Sequence, residues 1–400
     1  MKASAGKSKV LMVAFGHPEN VLSLCKAVSR EVHIDLVFVV AEERFRQGIL
    51  DIDISSMDYG LNLYSVSIEF LPEEVKEFIG DSFRVRFIRT PSKSILRNKA
   101  LQNYTLLCKS ARALNKENYD VVHFNGSSWF AGYFSLFLGG SRKNIWTIHD
   151  YIPHTGEGDP KSFFLRRLFM MVMDFEYIQH YKWLKERFIK RFNIPSNKVH
   201  HIYSGPFDIF KCFKPVKIAE HTDYMLFFGR ISPYKGIDLL IDSFILFKQK
   251  YPELNIKLYI AGSGKLWFDN QVLDHPDIIL INRYISTDEL VYLLTCCRFV
   301  VLPYTDSTHS AVVMTSYVFR KPVIANDVGG LHEVILHGNT GFLTSSHNTE
   351  QMANAMFQLS SDDTMIRSFE HNIEYFVNQG SISWAKVAKK MKEVYCGDKE

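Results

Sequence analysis

The 400 residues include only six cysteines, at 25, 108, 212, 296, 297 and 396, and no two form a C-x-x-C pair. That spacing excludes a zinc ribbon and offers no disulfide framework, so a reducing cytosol is the expected setting. Long apolar runs are missing too. The strongest candidate, LFMMVM at 168–173, falls far short of the roughly 18 residues a membrane span requires. The opening MKASAGKSKV has no apolar core of the kind a secretory signal needs, so none is expected. A Walker loop is absent: AGSGK at 261–265 lacks the Gly-x-x-x-x-Gly-Lys-Ser/Thr spacing.

Acidic residues are scarce in one stretch. Residues 81–116 hold nine Lys or Arg and a single acid, Asp81, a local charge of +8 in a chain whose total is +4. A local basic face is expected there, and a globally basic nucleic-acid binder is excluded. The arginines interleave with Phe83, Phe87, Ile95 and Leu96, which reads as a surface for an anionic membrane through residues 84–112. The competing reading is a set of solvated helix faces whose apolar residues pack inward. KWLKERFIKRF at 182–192 carries the same ambiguity.

What is present is a globular composition, 46% hydrophobic and 22% charged, in a chain long enough for two domains. Strand and helix patterns alternate throughout, the signature of parallel sheets wrapped by helices. KVLMVAF (9–15), IDLVFVV (34–40), RVRFI (84–88), DVVHF (120–124), NIWTIHD (144–150) and KVHHIY (198–203) read as strands of the first half. Residues 42–82 give no clear period. YMLFFG (224–229), NIKLYIAG (255–262), DIILI (277–281) and FVVLP (299–303) read as strands of the second half. A one-sided helix is predicted over 236–250, with apolar positions at 237, 240, 241, 244 and 247. Another closes the chain at 381–397.

The stretch 301–335 reads as strand, polar turn, helix from about Ser310, short strand and a Gly329-Gly330 turn. A helix N-terminus and a glycine turn then share one edge of a parallel sheet, an arrangement suited to a phosphate-bearing ligand. FFGRISPYKG (227–236) adds Arg230 and Lys235 at a strand-to-helix turn, where a guanidinium fork and a movable ammonium can hold phosphate oxygens. The alternative is two solvated loop cations. In IHDYIPHTGEGD (148–159), His149 and Asp150 fall at a strand end, placed to orient a hydroxyl or relay a proton. His149, His154, Glu157 and Asp159 lack standard metal spacing, so no metal site is expected.

These motifs carry a resemblance. GRISPYKG, IAGSG, FVVLPY and KPVIANDVGGLHEVILHGNTGFL, in this order over roughly 200–390, resemble the signatures of family 4 retaining glycosyltransferases. In the first half, IHDYIPHTGE and the strand order carry the likeness. The resemblance implies an α/β GT-B fold of two Rossmann-like domains whose parallel sheets face a central cleft. The expected divisions are 1–205 (acceptor side), 206–380 (nucleotide-sugar side) and a helix at 381–400 crossing back to the first domain. It also implies a hexosyltransferase working without metal or cofactor on a nucleoside-diphosphate sugar. The acceptor would be a saccharide or lipid-linked saccharide, in surface polysaccharide assembly at the inner face of the membrane.

Carried over by residue, the resemblance gives His149, Arg230 and Lys235 catalytic roles. Gly229, Arg230, Lys235, Gly262, His309, Ser310, Ala311, Val312 and Thr315 would bind donor. Gly16, His17 and Asp150 would serve the acceptor or sugar side. The family's usual glutamate pair falls on Ser307 and Thr315, so the chain resembles instead a branch with a Pro-Tyr loop followed by Gln-Ser-Gly-Val; here Pro303, Tyr304, Ser310, Val312 and Tyr317 match it. Two rival readings stand beside this one: a non-catalytic transferase-like partner subunit and a nucleotide-sugar epimerase of the same shape.

Overall fold

The computed structural model describes residues 7–41, 44–91, 100–126, 128, 130–138, 142–149, 151, 160–218, 223–268, 274–308 and 310–397. The chain divides into two compact units. The first comprises Met1–His180, Lys185–Tyr203 and Trp384–Glu400; the second comprises Tyr181–Leu184 and Ser204–Ser383. Both are α/β.

The first unit runs β1 (Lys9–Ala14), α1 (Pro18–Val28), β2 (His33–Val40), β3 (Arg44–Gln47), β4 (Leu50–Asp53), β5 (Gly60–Leu61), α2 (Tyr64–Glu69), α3 (Glu73–Ile79) and β6 (Arg84–Arg89). It continues with α4 (Ala100–Asn115), β7 (Val121–Asn125), α5 (Phe130–Ser135), β8 (Lys143–Thr147), α6 (Pro160–Val172), β9 (Glu176–Gln179), α7 (Lys182–Phe192, whose residues up to Leu184 fall in the second unit) and β10 (Val199–His201). The sheet order is β10-β9-β8-β7-β1-β2-β6-β5, with β3 and β4 a separate hairpin. Every ladder of the main sheet is parallel except the one between β5 and β6. Such a sheet is covered on both faces, which is why Val10–Ala14 and Val121–Asn125 are buried without alternation.

The second unit runs β11 (Tyr224–Phe228), α8 (Ile237–Lys250), β12 (Lys257–Gly262), β13 (Ile278–Asn282), α9 (Thr287–Cys296), β14 (Phe299–Leu302), α10 (Ala311–Val318), β15 (Val323–Asn326), β16 (Gly341–Thr344), α11 (Thr349–Ser361) and α12 (Asp363–Gln379). Its order, β13-β12-β11-β14-β15-β16, is the doubly wound 3-2-1-4-5-6 arrangement, parallel throughout. α13 (Trp384–Cys396) belongs to the first unit, where it packs on α1. Among the described residues no helix is long and apolar enough to cross a membrane.

The arginines of β6 require a correction to the expected basic face. Arg84 donates from Nε to Asp35 Oδ1 at 2.8 Å and from Nη2 to Glu117 Oε2 at 3.0 Å. Arg86, buried, donates to Glu117 Oε1 at 2.6 Å and to the Tyr119 hydroxyl at 2.9 Å. Arg89, also buried, is spent on the carbonyls of Ser55 and Met57. For Arg84 the cause is Asp35, wholly buried in β2 and directly opposite it in the register. A buried carboxylate needs charged hydrogen-bond donors. Burial alone would raise its pKa, but the Arg84 and Tyr119 hydrogen bonds outweigh burial and hold it below the ordinary carboxylate value. These three arginines are therefore committed to partners within the first unit.

Candidate functional site

In a doubly wound sheet the crevice opens where the strand order reverses, at the carboxyl ends of the strands. In the second unit that point lies between β11 and β14. β11 is followed by Gly229, whose amide donates to Ala261 O at 3.0 Å, and Ile231 N donates to Ser263 O at 3.0 Å. The two glycine turns press together so closely that a Cβ on Gly262 would stand 1.8 Å from Gly229 O. On its open side, a Cβ on Gly229 would first meet Val312 Cγ2 at 3.9 Å, in the first turn of α10. The glycine turn thus opens on the helix N-terminus, where Ser310 caps α10 by accepting from Val313 N at 3.4 Å.

Lys235 ends a short 3-10 turn, Pro233–Lys235, and Gly236 follows in the left-handed region at φ 65°. A Cβ there would lie 2.2 Å from Pro303 O, so only glycine lets this turn rest on the end of β14. Thr305 N donates to Tyr234 O at 2.9 Å and ties the same two segments. The Lys235 ammonium stands 3.7 Å from the centroid of the Tyr304 ring, a cation–π contact. Burial raises the Tyr304 phenol above its ordinary pKa, so the ring stays neutral beneath the cation. Its backbone is held in turn: Asn326 Nδ2 donates to Tyr304 O at 3.1 Å, and Thr344 Oγ1 donates to Asn326 Oδ1 at 2.9 Å. Arg230 is exposed at the same edge.

Gly229, Arg230, Lys235, Gly262, Ser310, Ala311 and Val312 therefore share one sheet edge. His309 and Asp150 lie outside the described residues. Thr315 is buried one turn further along α10 and donates its hydroxyl proton to Ala311 O at 2.9 Å. Ser307 is buried as well, with Gly329 stacked on it so tightly that a Cβ would come within 1.9 Å of Ser307 O.

The first unit repeats the plan. Its order reverses between β1 and β7, and Gly16, His17, Asn125 and Gly126 stand at that edge. His17 adopts the left-handed conformation, φ 53°, just before α1. Its ring centroid lies 4.5 Å from that of His149, which lies 5.1 Å from that of His180. His149 Nε2 is 2.8 Å from Asn125 Oδ1; with the amide oxygen accepting, the ring proton sits on Nε2. His180 Nδ1 donates to Ile202 O at 2.9 Å. Burial pushes His180 down to about 4 and His123, bonded to Thr147 and Tyr395, down to about 3. The Glu19 carboxyl, buried near His17, is pushed up by its burial.

Asn125 and His180 were not singled out by the sequence reading. Asn125 had a signal, a polar residue at the carboxyl end of an apolar strand. β9, which carries Gln179 and leads to His180, is a four-residue strand with no visible period. Among the described residues, no three His, Cys, Asp or Glu side chains gather as a metal ion would need.

Comparison with known proteins fits this geometry. Two family models match in series, one described as Glycosyltransferase Family 4 at residues 69–205 and one as Glycosyl transferases group 1 at 222–362. An uncharacterized glycosyltransferase of Methanocaldococcus jannaschii is 25% identical over 314 residues, 72% of this chain and 77% of that one. A second from the same organism is 30% identical, over 43% of this chain and 48% of its own. A D-inositol 3-phosphate glycosyltransferase of Corynebacterium glutamicum is 28% identical over 44% of each chain. In the last two the chain spans less than half of the relative's length.

Among solved structures, sucrose-phosphate synthase from Thermosynechococcus elongatus superposes with a TM-score of 0.66 at 15% identity, over 97% of this chain and 98% of the other. Anabaena HepE in complex with UDP-glucose gives 0.65 at 16% identity, over 98% and 100%. At these identities the structures establish the fold. The fold is GT-B, and each half of the chain is similar to a glycosyltransferase family.

Proposed function

We propose that the protein is a retaining glycosyltransferase that moves a hexose from a nucleoside-diphosphate sugar to a saccharide or lipid-linked saccharide, in the assembly of a surface polysaccharide. The observation that carries this reading is the opening of the Gly229 turn onto the first turn of α10, with Lys235 anchored over Tyr304 at the same edge. Free amides and the positive end of a helix dipole favour a diphosphate there, and Arg230 and Lys235 add the charge that a metal would otherwise supply.

In the reaction so proposed, the bond from the anomeric carbon to the diphosphate oxygen breaks as a bond to the acceptor oxygen forms on the same face. The departing diphosphate oxygen takes the acceptor's proton. No protein nucleophile is then required, and stabilising charge on the diphosphate is the main task of the protein. His149, with its Nε2 proton given to Asn125, serves the sugar hydroxyls.

The buried Ser307 and Thr315 favour one other reading, a partner subunit that binds donor without turnover. Titration calorimetry with UDP, GDP and ADP tests the first step. One nucleotide should bind selectively, and Lys235→Ala should weaken it at least about tenfold, the usual worth of a charge-assisted contact. Loss of the donor reading would follow if none binds, or if the variant binds as the parent does. Selective binding without transfer to lipid-linked acceptors would favour the partner subunit.

A further inference from the structure

The partner of His149 carries an inference that rests on the glycosyl-transfer reading. Asn125 closes β7 at the switch point of the first unit and is wholly buried. Its backbone is pinned from both sides: Phe15 N donates to Asn125 O at 3.1 Å, and the next amide, Gly126 N, donates to Thr147 O at 3.0 Å. In the ladders Asn125 stands opposite Ala14 of β1 and Thr147 of β8. A side chain on such a backbone is aimed by the sheet and not by a loop.

That side chain is an amide where packing alone would favour an apolar residue. Oδ1 lies 2.8 Å from His149 Nε2, and Nδ2, also buried, has no hydrogen-bond partner among the described residues. A buried donor left unpaired costs about 1–3 kcal/mol, a cost that leucine, of similar volume, avoids. What leucine lacks is the acceptor oxygen. An amide oxygen can only accept, so it fixes the ring proton on Nε2 and leaves Nδ1 an acceptor. Asn125 also offers no charge to balance an imidazolium, whereas an aspartate in its place would. His17 and His180, whose ring centroids lie 4.5 and 5.1 Å from that of His149, bring no negative charge either.

We propose that Asn125 is a positioning residue of the transfer site, holding His149 as a neutral imidazole in the Nε2–H form so that Nδ1 takes the hydrogen of a sugar hydroxyl. Such a contact suits a ligand oxygen that carries a hydrogen. A carboxylate or phosphate oxygen, which only accepts, meets a lone pair there and is turned away. The group selected at this edge is therefore a neutral hydroxyl of the hexose, and an acidic group at that contact is disfavoured.

Long-range proton–nitrogen NMR of the full chain with labelled histidine rings reads the tautomer without any substrate, the His149 signals being assigned by their loss in His149→Ala. Near neutral pH the parent should carry the His149 proton on Nε2 alone. Asn125→Leu should admit the Nδ1–H form, and Asn125→Asp should protonate both nitrogens. Turnover is read as nucleotide released from UDP-, GDP- and ADP-glucose with water as acceptor. In Asn125→Leu, kcat should fall about tenfold while the donor KM changes less than about twofold, a split that a loss of structure alone would not give. Asn125→Asp, nearly isosteric, should show a similar fall that recovers as pH is raised and the imidazolium loses its proton, and it keeps the test open should the leucine variant fail to fold. The inference is overturned if the parent carries the proton on Nδ1 or on both nitrogens, if neither variant changes the pattern, or if kcat and KM shift in equal measure. If no donor is turned over, the transfer reading fails by itself, and the tautomer patterns still decide for or against Asn125.

Discussion

Acidification should weaken the first unit and spare the second. All three buried histidines among the described residues, His123, His149 and His180, are in the first unit. His123 and His180 are held neutral by burial, with values of about 3 and about 4, against about 6.5 in an unfolded chain. Between those limits the unfolded chain binds more protons than the native one, so stability falls as pH falls. Above about pH 6.5 both forms are neutral and nothing is lost. From pH 7.5 to pH 5, each histidine removes about 2 kcal/mol, so about 4 kcal/mol for the pair. Glu19 runs the other way: its carboxyl is raised in the fold, so acid partly stabilises it. A variant cancels that term. In His180→Asn the loss over this pH interval should shrink by about 2 kcal/mol, whatever Glu19 contributes. Peptide-resolved hydrogen exchange reads the two units separately, with β7 and β9 reporting the first and β11 and β14 serving as the internal control. An equal pH response in parent and variant, or an equal fall in β11 and β14, would refute the argument.

Three further outcomes are expected. Asp35→Ala strips Arg84 and Tyr119 of a buried partner and should cost about 3–5 kcal/mol, read as a lower melting transition; a shift near zero would mean the network is idle. Gly262→Ala must force the two turns apart, because its Cβ cannot share space with Gly229 O, and should abolish nucleotide binding; binding at parental affinity would remove that turn from the site. His149→Ala should lower kcat more than it raises the donor KM, since its proposed contacts are with the sugar; equal changes in both would contradict that role.

Much of this was legible because parallel strands announce themselves. Apolar runs such as YMLFFG, followed at once by glycine, can only be buried strands ending in turns. That Arg230, Lys235 and Ser310 share an edge followed from that pattern, since strand ends in such sheets meet at one edge. The hairpin of β3 and β4 was not legible, because each strand is only four residues long and LDID alternates over too short a run to be told from a loop. The arginines of β6 were misread for a more instructive reason. Counted along the chain, they form a basic cluster; in the fold Arg84 answers Asp35, 49 residues away, Arg86 answers Glu117, and Arg89 the carbonyls of Ser55 and Met57. The signal was in the sequence: an aspartate inside IDLVFVV cannot be buried alone.

The two switch points differ in a way that suits the proposed chemistry. The second unit offers permanent positive charge, Arg230, Lys235 and a helix N-terminus, where a diphosphate would gain charge on departure. The first offers polarity with little charge. Burial suppresses the proton on His180 and favours the neutral Glu19 carboxyl, so the groups around His17 and His149 present dipoles. A cationic first unit would also attract the diphosphate and so bind donor at the wrong edge. In the proposed reaction, keeping His180 and Glu19 uncharged would favour hydroxyls over phosphate at this edge, at the stability cost in acid worked out above. The pH sensitivity of the first unit and its proposed selectivity for hydroxyls are then consequences of the same burial.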